Sequence, residues 1–138
     1  MDYLMIDEKS LMIDMLKGSK TIAVVGLSDN PHRTSYQISK AMQKAGYKII
    51  PVNPHITESL GEKAYRTIQD VPDQVDLVNV FRRSEYVDEL AEEIAKTDIP
   101  YVWMQQGVYS DRANEILTKA GKKVIMNQCI KVAHAILM

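Results

Sequence analysis

Short apolar runs alternate with amphipathic stretches along nearly the whole chain. The runs are of strand length and rich in β-branched and aromatic residues, and they cover residues 21–25, 47–52, 75–81, 101–104 and 123–127. Apolar residues recur at helical spacing over residues 8–17, 36–45, 84–96, 111–120 and 128–138. This alternation predicts strands joined by helical crossovers, the pattern of a parallel sheet that is buried on both faces.

We therefore expect an α/β fold in which residues 1–138 form a single Rossmann-like, doubly wound domain. Its five-stranded, mainly parallel sheet should carry helices on both faces. The first helix, within residues 1–18, should pack on the sheet, and we interpret its Met5, Met12 and Met15 as core residues rather than as a promiscuous binding face.

Capping residues predict where several helices begin and end. Glycines follow three of the helical stretches and are expected to close them: Gly18, Gly46 and Gly121. Hydroxyl residues precede or open three others and are expected to cap their N-termini: Ser35, Thr67 and Ser84.

Composition narrows the class of protein. The chain is 46% hydrophobic and 25% charged, as is typical of globular domains, and its formal net charge of −1 gives no global signal for nucleic acid binding. The longest apolar runs are too short for a membrane span, and the acidic N-terminus predicts no signal peptide. The single cysteine, Cys129, excludes an intrachain disulfide and fits a reducing compartment, so we expect a cytoplasmic protein.

The loop after the first strand has the features of a phosphate-binding turn. Gly26 allows a close backbone approach, Ser28 offers a hydroxyl, and Arg33 supplies positive charge beside Ser35 at the expected helix start. A helix N-terminus at the carboxyl end of a parallel strand attracts anions. The alternative interpretation is an ordinary surface turn that happens to contain an arginine.

The usual dinucleotide motif is absent from this loop. The second and third glycines of G-x-G-x-x-G are missing, and Asn53 and Pro54 follow the second strand where an acid would hold a ribose 2′-hydroxyl. No Gly-Lys-Ser/Thr sequence follows Gly26 at the spacing of a P-loop. NAD is therefore disfavoured, whereas a nucleotide whose ribose carries a phosphate stays open.

Two further strands end in polar residues at the same predicted edge. Arg82 and Arg83 follow the third strand, where they can meet phosphates or stack on a base, and Gln106 and Gly107 follow the fourth. The alternative for the arginines is a solvated pair that forms salt bridges with Glu85 or Asp88.

Five segments together resemble the small CoA-binding domain proteins, and through them the CoA-binding Rossmann domain of the succinyl-CoA synthetase alpha subunit. The segments are GLSDNPHRTS at 26–35, PVNP at 51–54, VFRR at 80–83, WMQQG at 103–107 and MNQCIKVAH at 126–134. Their order and spacing carry the resemblance, which covers nearly the whole chain from about residue 20 onward. It implies coenzyme A as the ligand.

The resemblance also implies positions for the ligand. Gly26, Leu27, Ser28, Arg33 and Ser35 would hold the CoA phosphates. Asn53 and Pro54 would border the adenosine and its 3′-phosphate, Phe81, Arg82 and Arg83 would line the other side, and Gln106 and Gly107 would lie nearer the pantetheine arm.

Binding without catalysis is the function we expect. The resemblance implies that the synthetase has a further domain with a phosphorylated histidine, which we do not expect in this chain. His32, His55 and His134 lie in separate segments, and none pairs with an Asp or Glu at the spacing of a catalytic triad or metal site. Of the three, His55 lies nearest the expected ribose phosphate. The alternatives are an enzyme of acyl-CoA metabolism and a binder of another phosphorylated nucleotide such as NADP.

The role of Cys129 and the oligomeric state of the protein each allow two interpretations. Cys129 lies near the start of the last helix, where the helix dipole favours a thiolate that could form a mixed disulfide with CoA; the simpler interpretation is a small buried residue. No protein partner is indicated, although the Met- and Leu-bearing face of the first helix could also join two subunits of a homo-oligomer.

Overall fold

The computed structural model describes the backbone of residues 2–138 and the side chains of residues 8–138. Its strands are β1 (Thr21–Val25), β2 (Lys48–Val52), β3 (Glu58–Ser59), β4 (Glu62–Lys63), β5 (Leu77–Val80), β6 (Tyr101–Met104) and β7 (Lys123–Ile125). Its helices are α1 (Asp2–Gly18), α2 (Thr34–Lys44), α3 (Val87–Ala95), α4 (Asp111–Lys119) and α5 (Ile130–Leu137). Two 3-10 turns, Ile68–Asp70 and Ser84–Tyr86, complete these elements.

Five of the strands form one parallel sheet in the order β2-β1-β5-β6-β7, and β3 pairs with β4 in a small antiparallel hairpin. The α/β prediction is confirmed, and every strand pair in the main sheet is parallel. From β1 the chain first moves outward to β2 and then returns to β5 on the other side. This change of direction leaves a crevice beyond the carboxyl ends of β1 and β5, where doubly wound sheets bind ligands.

Two hydrophobic cores lie on opposite faces of the sheet. Alternate residues of β1 belong to different cores, because successive side chains of a strand point to opposite faces. Ala23 and Val25 pack with α3 and α4, whereas Ile22 and Val24 pack with α1, α2 and α5. Helices therefore cover both faces, as predicted.

The first helix packs on the sheet as predicted. Met12, Met15 and Leu16 are buried in the core that also holds Ile22 and Trp103. Met5 lies outside the side chains that the structure describes. None of the helices in the described part of the chain is both long and apolar enough to cross a membrane.

The N-cap predictions for Ser35 and Ser84 are wrong. Helix α2 begins one residue before Ser35, and Arg33 occupies its N-cap position without a side-chain hydrogen bond to the helix. Ser84 opens a 3-10 turn instead, and α3 starts three residues later. The Ser35 hydroxyl instead hydrogen-bonds to the loop that precedes α2, and the Ser84 hydroxyl hydrogen-bonds to the loop after β6.

The predictions for the other helix ends agree better with the structure. Gly46 and Gly121 adopt φ values of 109° and 84°, the left-handed conformation expected after a helix. Helix α1 ends at Gly18, and Thr67 occupies the N-cap of the turn Ile68–Asp70. The Thr67 hydroxyl bonds to the Asp70 carboxylate at 3.0 Å rather than to a backbone N–H.

Candidate functional site

The crevice at the carboxyl edge of the sheet contains two adjoining cavities. They have volumes of about 470 and 480 Å³ and share Phe81, Arg82 and Arg83, the segment that follows β5. The first cavity, on the β6 side, is also lined by Thr34, Ile38, Gln105, Gln106, Gly107, Val108 and Cys129. The second cavity, on the β2 side, is also lined by Gly26, Val52, Asn53, Pro54, His55 and Tyr86.

The loop after β1 is fixed by backbone contacts with both neighbouring strands. The N–H of Gly26 donates to the carbonyl of Val52 at 2.9 Å, and the N–H of Phe81 donates to the carbonyl of Val25 at 2.9 Å. Gly26 has φ +88°, and the space that a Cβ would need is filled by the Phe81 carbonyl. Glycine is thus required here by the neighbouring chain segment, whereas we expected it to make room for a ligand.

Hydroxyl groups hold the rest of this loop against α2. The hydroxyl of Ser35 accepts a hydrogen bond from the N–H of Ser28 at 3.0 Å, and the hydroxyl of Ser28 accepts one from the N–H of Asn30 at 3.0 Å. Ser59, in the β3–β4 hairpin, donates its hydroxyl to the carbonyl of Ser28 at 2.8 Å. Ser28 and Ser35 therefore shape the loop.

The N-terminus of α2 has no side-chain cap, so the first N–H groups of the helix lack a side-chain partner there. Thr34, the first helical residue, lines the first cavity, and the exposed Arg33 immediately precedes it. The positive end of the helix dipole and a guanidinium thus lie together at the edge of the crevice, an arrangement that favours a bound anion.

Leu27 and Asn53 serve the scaffold rather than presenting free side chains. The Leu27 side chain is fully buried in the core beneath α2. The side-chain amide of Asn53 donates to the Leu27 carbonyl at 3.0 Å, and its oxygen accepts from the N–H of His55 at 2.9 Å. Asn53 therefore ties the loop after β2 to the loop after β1, and Pro54 beside it lines the second cavity.

Arg82 and Arg83 are exposed and line both cavities. The expected salt bridge of Arg83 with Glu85 is long, at 4.0 Å, and its side chains are 80% and 65% exposed, so it holds the guanidinium only weakly. Asp88, the other expected partner, lies 4.0 Å from Arg112 instead and accepts a hydrogen bond from Ser110. Arginine charge is therefore available to a ligand in the crevice.

The loop after β6 is anchored by residues from two other loops. Asn127 accepts a hydrogen bond from the N–H of Gly107 at 2.8 Å. The Ser84 hydroxyl donates to the carbonyl of Gly107 at 3.2 Å and accepts from the N–H of Tyr109 at 2.9 Å. Gln106 and Gly107 are exposed in the wall of the first cavity. The loops after β5 and β6 thus form a connected rim.

Six residues that line the two cavities were not predicted as site residues: Thr34, Ile38, Val52, Tyr86, Gln105 and Val108. Gln105 is 3% exposed, and its side-chain oxygen accepts from the N–H of Ile130 at 3.0 Å, which caps the first turn of α5. Two sequence signals mark Gln105: its place directly after the apolar β6 run and its membership of the WMQQG segment at 103–107. Tyr86 follows the two arginines and lines the second cavity.

The histidines and the cysteine separate into different environments. His55 lines the second cavity, whereas the exposed His32 lines neither. His134 lies on α5 and packs edge-on against the Tyr47 ring, with 5.7 Å between ring centroids. Burial raises the pKa of Tyr47, whose hydroxyl donates to the carbonyl of Leu16. Cys129 is half-buried at the N-cap of α5. Among residues 8–138, no group of three or more His, Cys, Asp or Glu side chains is placed to hold a metal ion.

Comparison with known proteins identifies a matching family, a similar sequence and a similar solved structure. Residues 20–135 match the family described as CoA binding domain. The uncharacterized protein YneT of Bacillus subtilis is 53% identical over 128 residues, which cover 93% of this chain and 95% of YneT. A solved structure of a hypothetical protein from Pyrococcus horikoshii superposes with a TM-score of 0.89 at 31% identity, over 94% of this chain and 91% of that one.

A longer enzyme subunit is also similar. The alpha subunit of ADP-forming acetate–CoA ligase II from Pyrococcus furiosus is 25% identical over 134 residues, or 89% of this chain. The match spans only 29% of that subunit.

The fold and the crevice of this chain define a doubly wound α/β domain with an arginine-lined crevice at its topological switch point. Within that class, the chain belongs to the CoA-binding domain family.

Proposed function

We propose that this protein binds coenzyme A, or an acyl-CoA, in the crevice and does so without catalysing a reaction. The observation that carries the proposal is the uncapped N-terminus of α2 beside Arg33, at the edge of cavities that Arg82 and Arg83 also line. Backbone N–H groups and arginines are the donors that phosphate groups need. Membership of the CoA-binding domain family supports the same ligand.

The charges in the crevice suit the three phosphates of coenzyme A. Two arginines line both cavities, whereas neither cavity is lined by an aspartate or glutamate. A carboxylate would repel a phosphorylated ribose, and its absence from these walls fits a ligand with a ribose phosphate better than NAD. The same reasoning keeps NADP as a second candidate.

The two cavities suit the two ends of the ligand. Coenzyme A has a nucleotide and a flexible pantetheine arm joined through a pyrophosphate. Because the cavities meet at Phe81, Arg82 and Arg83, a pyrophosphate at this junction would send one end of the ligand into each cavity. The first cavity, which contains Ile38, Val108 and Cys129, suits the pantetheine arm.

The side chains that line the crevice support a binding role without turnover. His55 is the only histidine in the two walls and Cys129 the only cysteine, and they line different cavities. General acid–base or nucleophilic catalysis needs such groups within hydrogen-bond reach of each other or of the reacting atom. The ligase subunit named above is more than three times as long as the matched region, so its activity is not carried over to this chain. We propose that the protein works in the cytoplasm, in keeping with its one free cysteine.

Thermal unfolding with added ligands tests this proposal. A ligand that binds only the folded protein raises the unfolding temperature in proportion to ln(1 + [L]/Kd). Coenzyme A should raise it more than dephospho-CoA or NADP at the same concentration. An equal or larger shift with NADP would favour the second candidate, and no shift with any of them would count against the crevice as a nucleotide site.

A turnover assay separates binding from catalysis. We expect no release of free thiol from acetyl-CoA above the uncatalysed rate. Hydrolysis that saturates with acetyl-CoA and is lost in the variant His55→Ala or Cys129→Ala would overturn the non-catalytic role and leave the binding proposal intact.

A further inference from the structure

Tyr86 presents an aromatic ring to the second cavity. It closes the 3-10 turn Ser84–Tyr86, and its side chain is 53% exposed, although the next residue, Val87, is fully buried. The N–H of Tyr86 donates to the carbonyl of Arg83 at 2.9 Å, which fixes the backbone of the turn. An anchored backbone thus carries an aromatic side chain that is about half exposed beside the cavity.

Tyr86 lies across the cavity mouth from the loop after β2. In the sheet, β2 and β5 flank β1 on either side, so Pro54 and His55 approach the cavity from one flank and Tyr86 from the other. The second cavity has a volume of about 480 Å³, which is large enough to hold a purine ring.

Two parts of the lining of this cavity differ in chemistry. One part has a proline, an imidazole and a phenol ring, whereas the segment that is shared with the first cavity carries Arg82 and Arg83. Aromatic side chains stack on nucleobases, and arginines bind the attached phosphates.

We propose that Tyr86 is the residue that stacks on the adenine of the bound nucleotide, with Pro54 and His55 on its other face. This inference rests on the proposed function, since it assigns the adenosine half of coenzyme A to the second cavity. Tyr86 then determines the preference for ligands that carry a base over those with the pantetheine arm alone.

Binding measurements on Tyr86 variants with three ligands test this assignment. Coenzyme A has both halves, adenosine 3′,5′-bisphosphate has only the nucleotide half, and 4′-phosphopantetheine has only the arm. Tyr86→Ala should weaken the first two by about tenfold and leave the third unchanged, whereas Tyr86→Phe should stay within about twofold of the wild type for all three.

Tyr109 supplies a matched control. It is 55% exposed, its hydroxyl donates to the Asp111 carboxylate, which raises the tyrosine pKa, and it lines neither cavity of the crevice. Tyr109→Ala should bind every ligand as the wild type does.

Fluorescence gives a readout that a purely structural role would not change. The emission of 1,N6-etheno-CoA should be quenched on binding to the wild type, because the base stacks on the ring, and quenched less in Tyr86→Ala at saturation. Coenzyme A binding that is unaltered in Tyr86→Ala, with equal quenching, would overturn the stacking role alone. A wild type that binds no coenzyme A would overturn the proposed function and this inference with it.

Discussion

A Cβ atom on Gly26 would lie 2.1 Å from the carbonyl oxygen of Phe81. The two residues directly follow the neighbouring strands β1 and β5, so this contact sets how closely the two loops of the crevice approach each other. The geometry of the proposed phosphate site therefore depends on the absence of a Cβ at Gly26, whether or not the ligand contacts that glycine.

Replacing Gly26 with alanine should destabilise the protein strongly. The variant combines an unfavourable positive φ, which costs about 1–2 kcal/mol, with a backbone clash that costs about 2 kcal/mol more. Gly121→Ala is the matched control, because its φ is +84° against +88° but no atom lies within 4 Å of the added Cβ. Urea unfolding of both variants measures the difference. Equal losses in free energy of unfolding would show that the Phe81 contact relaxes without cost.

Two buried serines of α2 should respond in opposite ways to alanine. The Ser35 hydroxyl accepts a hydrogen bond from Ser28, whereas the Ser39 hydroxyl is buried without a partner among the described residues. Ser35→Ala should lower the free energy of unfolding by about 1–2 kcal/mol and weaken coenzyme A binding, since it releases the loop that we propose binds phosphate. Ser39→Ala should be neutral or stabilising by up to about 1 kcal/mol. A larger loss for Ser39→Ala in urea unfolding would contradict the hydrogen-bond assignment.

Neutralising Arg82 should weaken coenzyme A binding and make it less sensitive to salt. Arg82→Gln removes a charge from the junction of the cavities, and we expect about a tenfold higher Kd. Arg112→Gln is the control, because Arg112 is equally an exposed arginine but lies near Asp88, outside both cavities. Titrations at two salt concentrations make the comparison. If the two substitutions weakened binding equally, the net charge of the protein and not the position of Arg82 would determine the affinity for coenzyme A.

Bound coenzyme A should protect Cys129 from alkylation. Cys129 is the only cysteine and lines the first cavity, so modification of the intact protein by iodoacetamide reports on that cavity alone. At a ligand concentration of ten times Kd the rate should fall by about tenfold. Adenosine 3′,5′-bisphosphate should protect less, because it lacks the pantetheine arm. An unchanged rate with saturating coenzyme A would exclude the first cavity as the site of the arm.

The sequence predicted the sheet well because its strands are buried on both faces. A short continuous apolar run such as that of β1 is typical of a strand in a parallel sheet with both faces covered. The carboxyl ends of parallel strands necessarily lie at one edge of the sheet. The positions of Gly26, Arg82 and Arg83 at that edge followed from this rule alone.

Individual side-chain roles in the loops were harder to predict. Asn53 bonds to Leu27, 26 residues away, and Ser84 bonds to Gly107, 23 residues away, so local spacing gives no signal for either contact. Ser35 was predicted to be an N-cap because serine is among the preferred residues at that position. In the structure its hydroxyl accepts a hydrogen bond from the N–H of Ser28 in the preceding loop and not from an N–H of the helix. Tyr86 carried no signal because its exposure depends on the turn that precedes α3.

Calorimetric titration of ligand-free wild-type protein with coenzyme A, accompanied by equilibrium dialysis, tests the central claim most directly. We predict saturable binding that weakens with dephospho-CoA, which lacks the 3′-phosphate, and with the variant Arg33→Ala, while circular dichroism shows that the variant is folded. Neither heat nor retained ligand with folded wild-type protein would contradict the account, and the crevice would then need a different ligand.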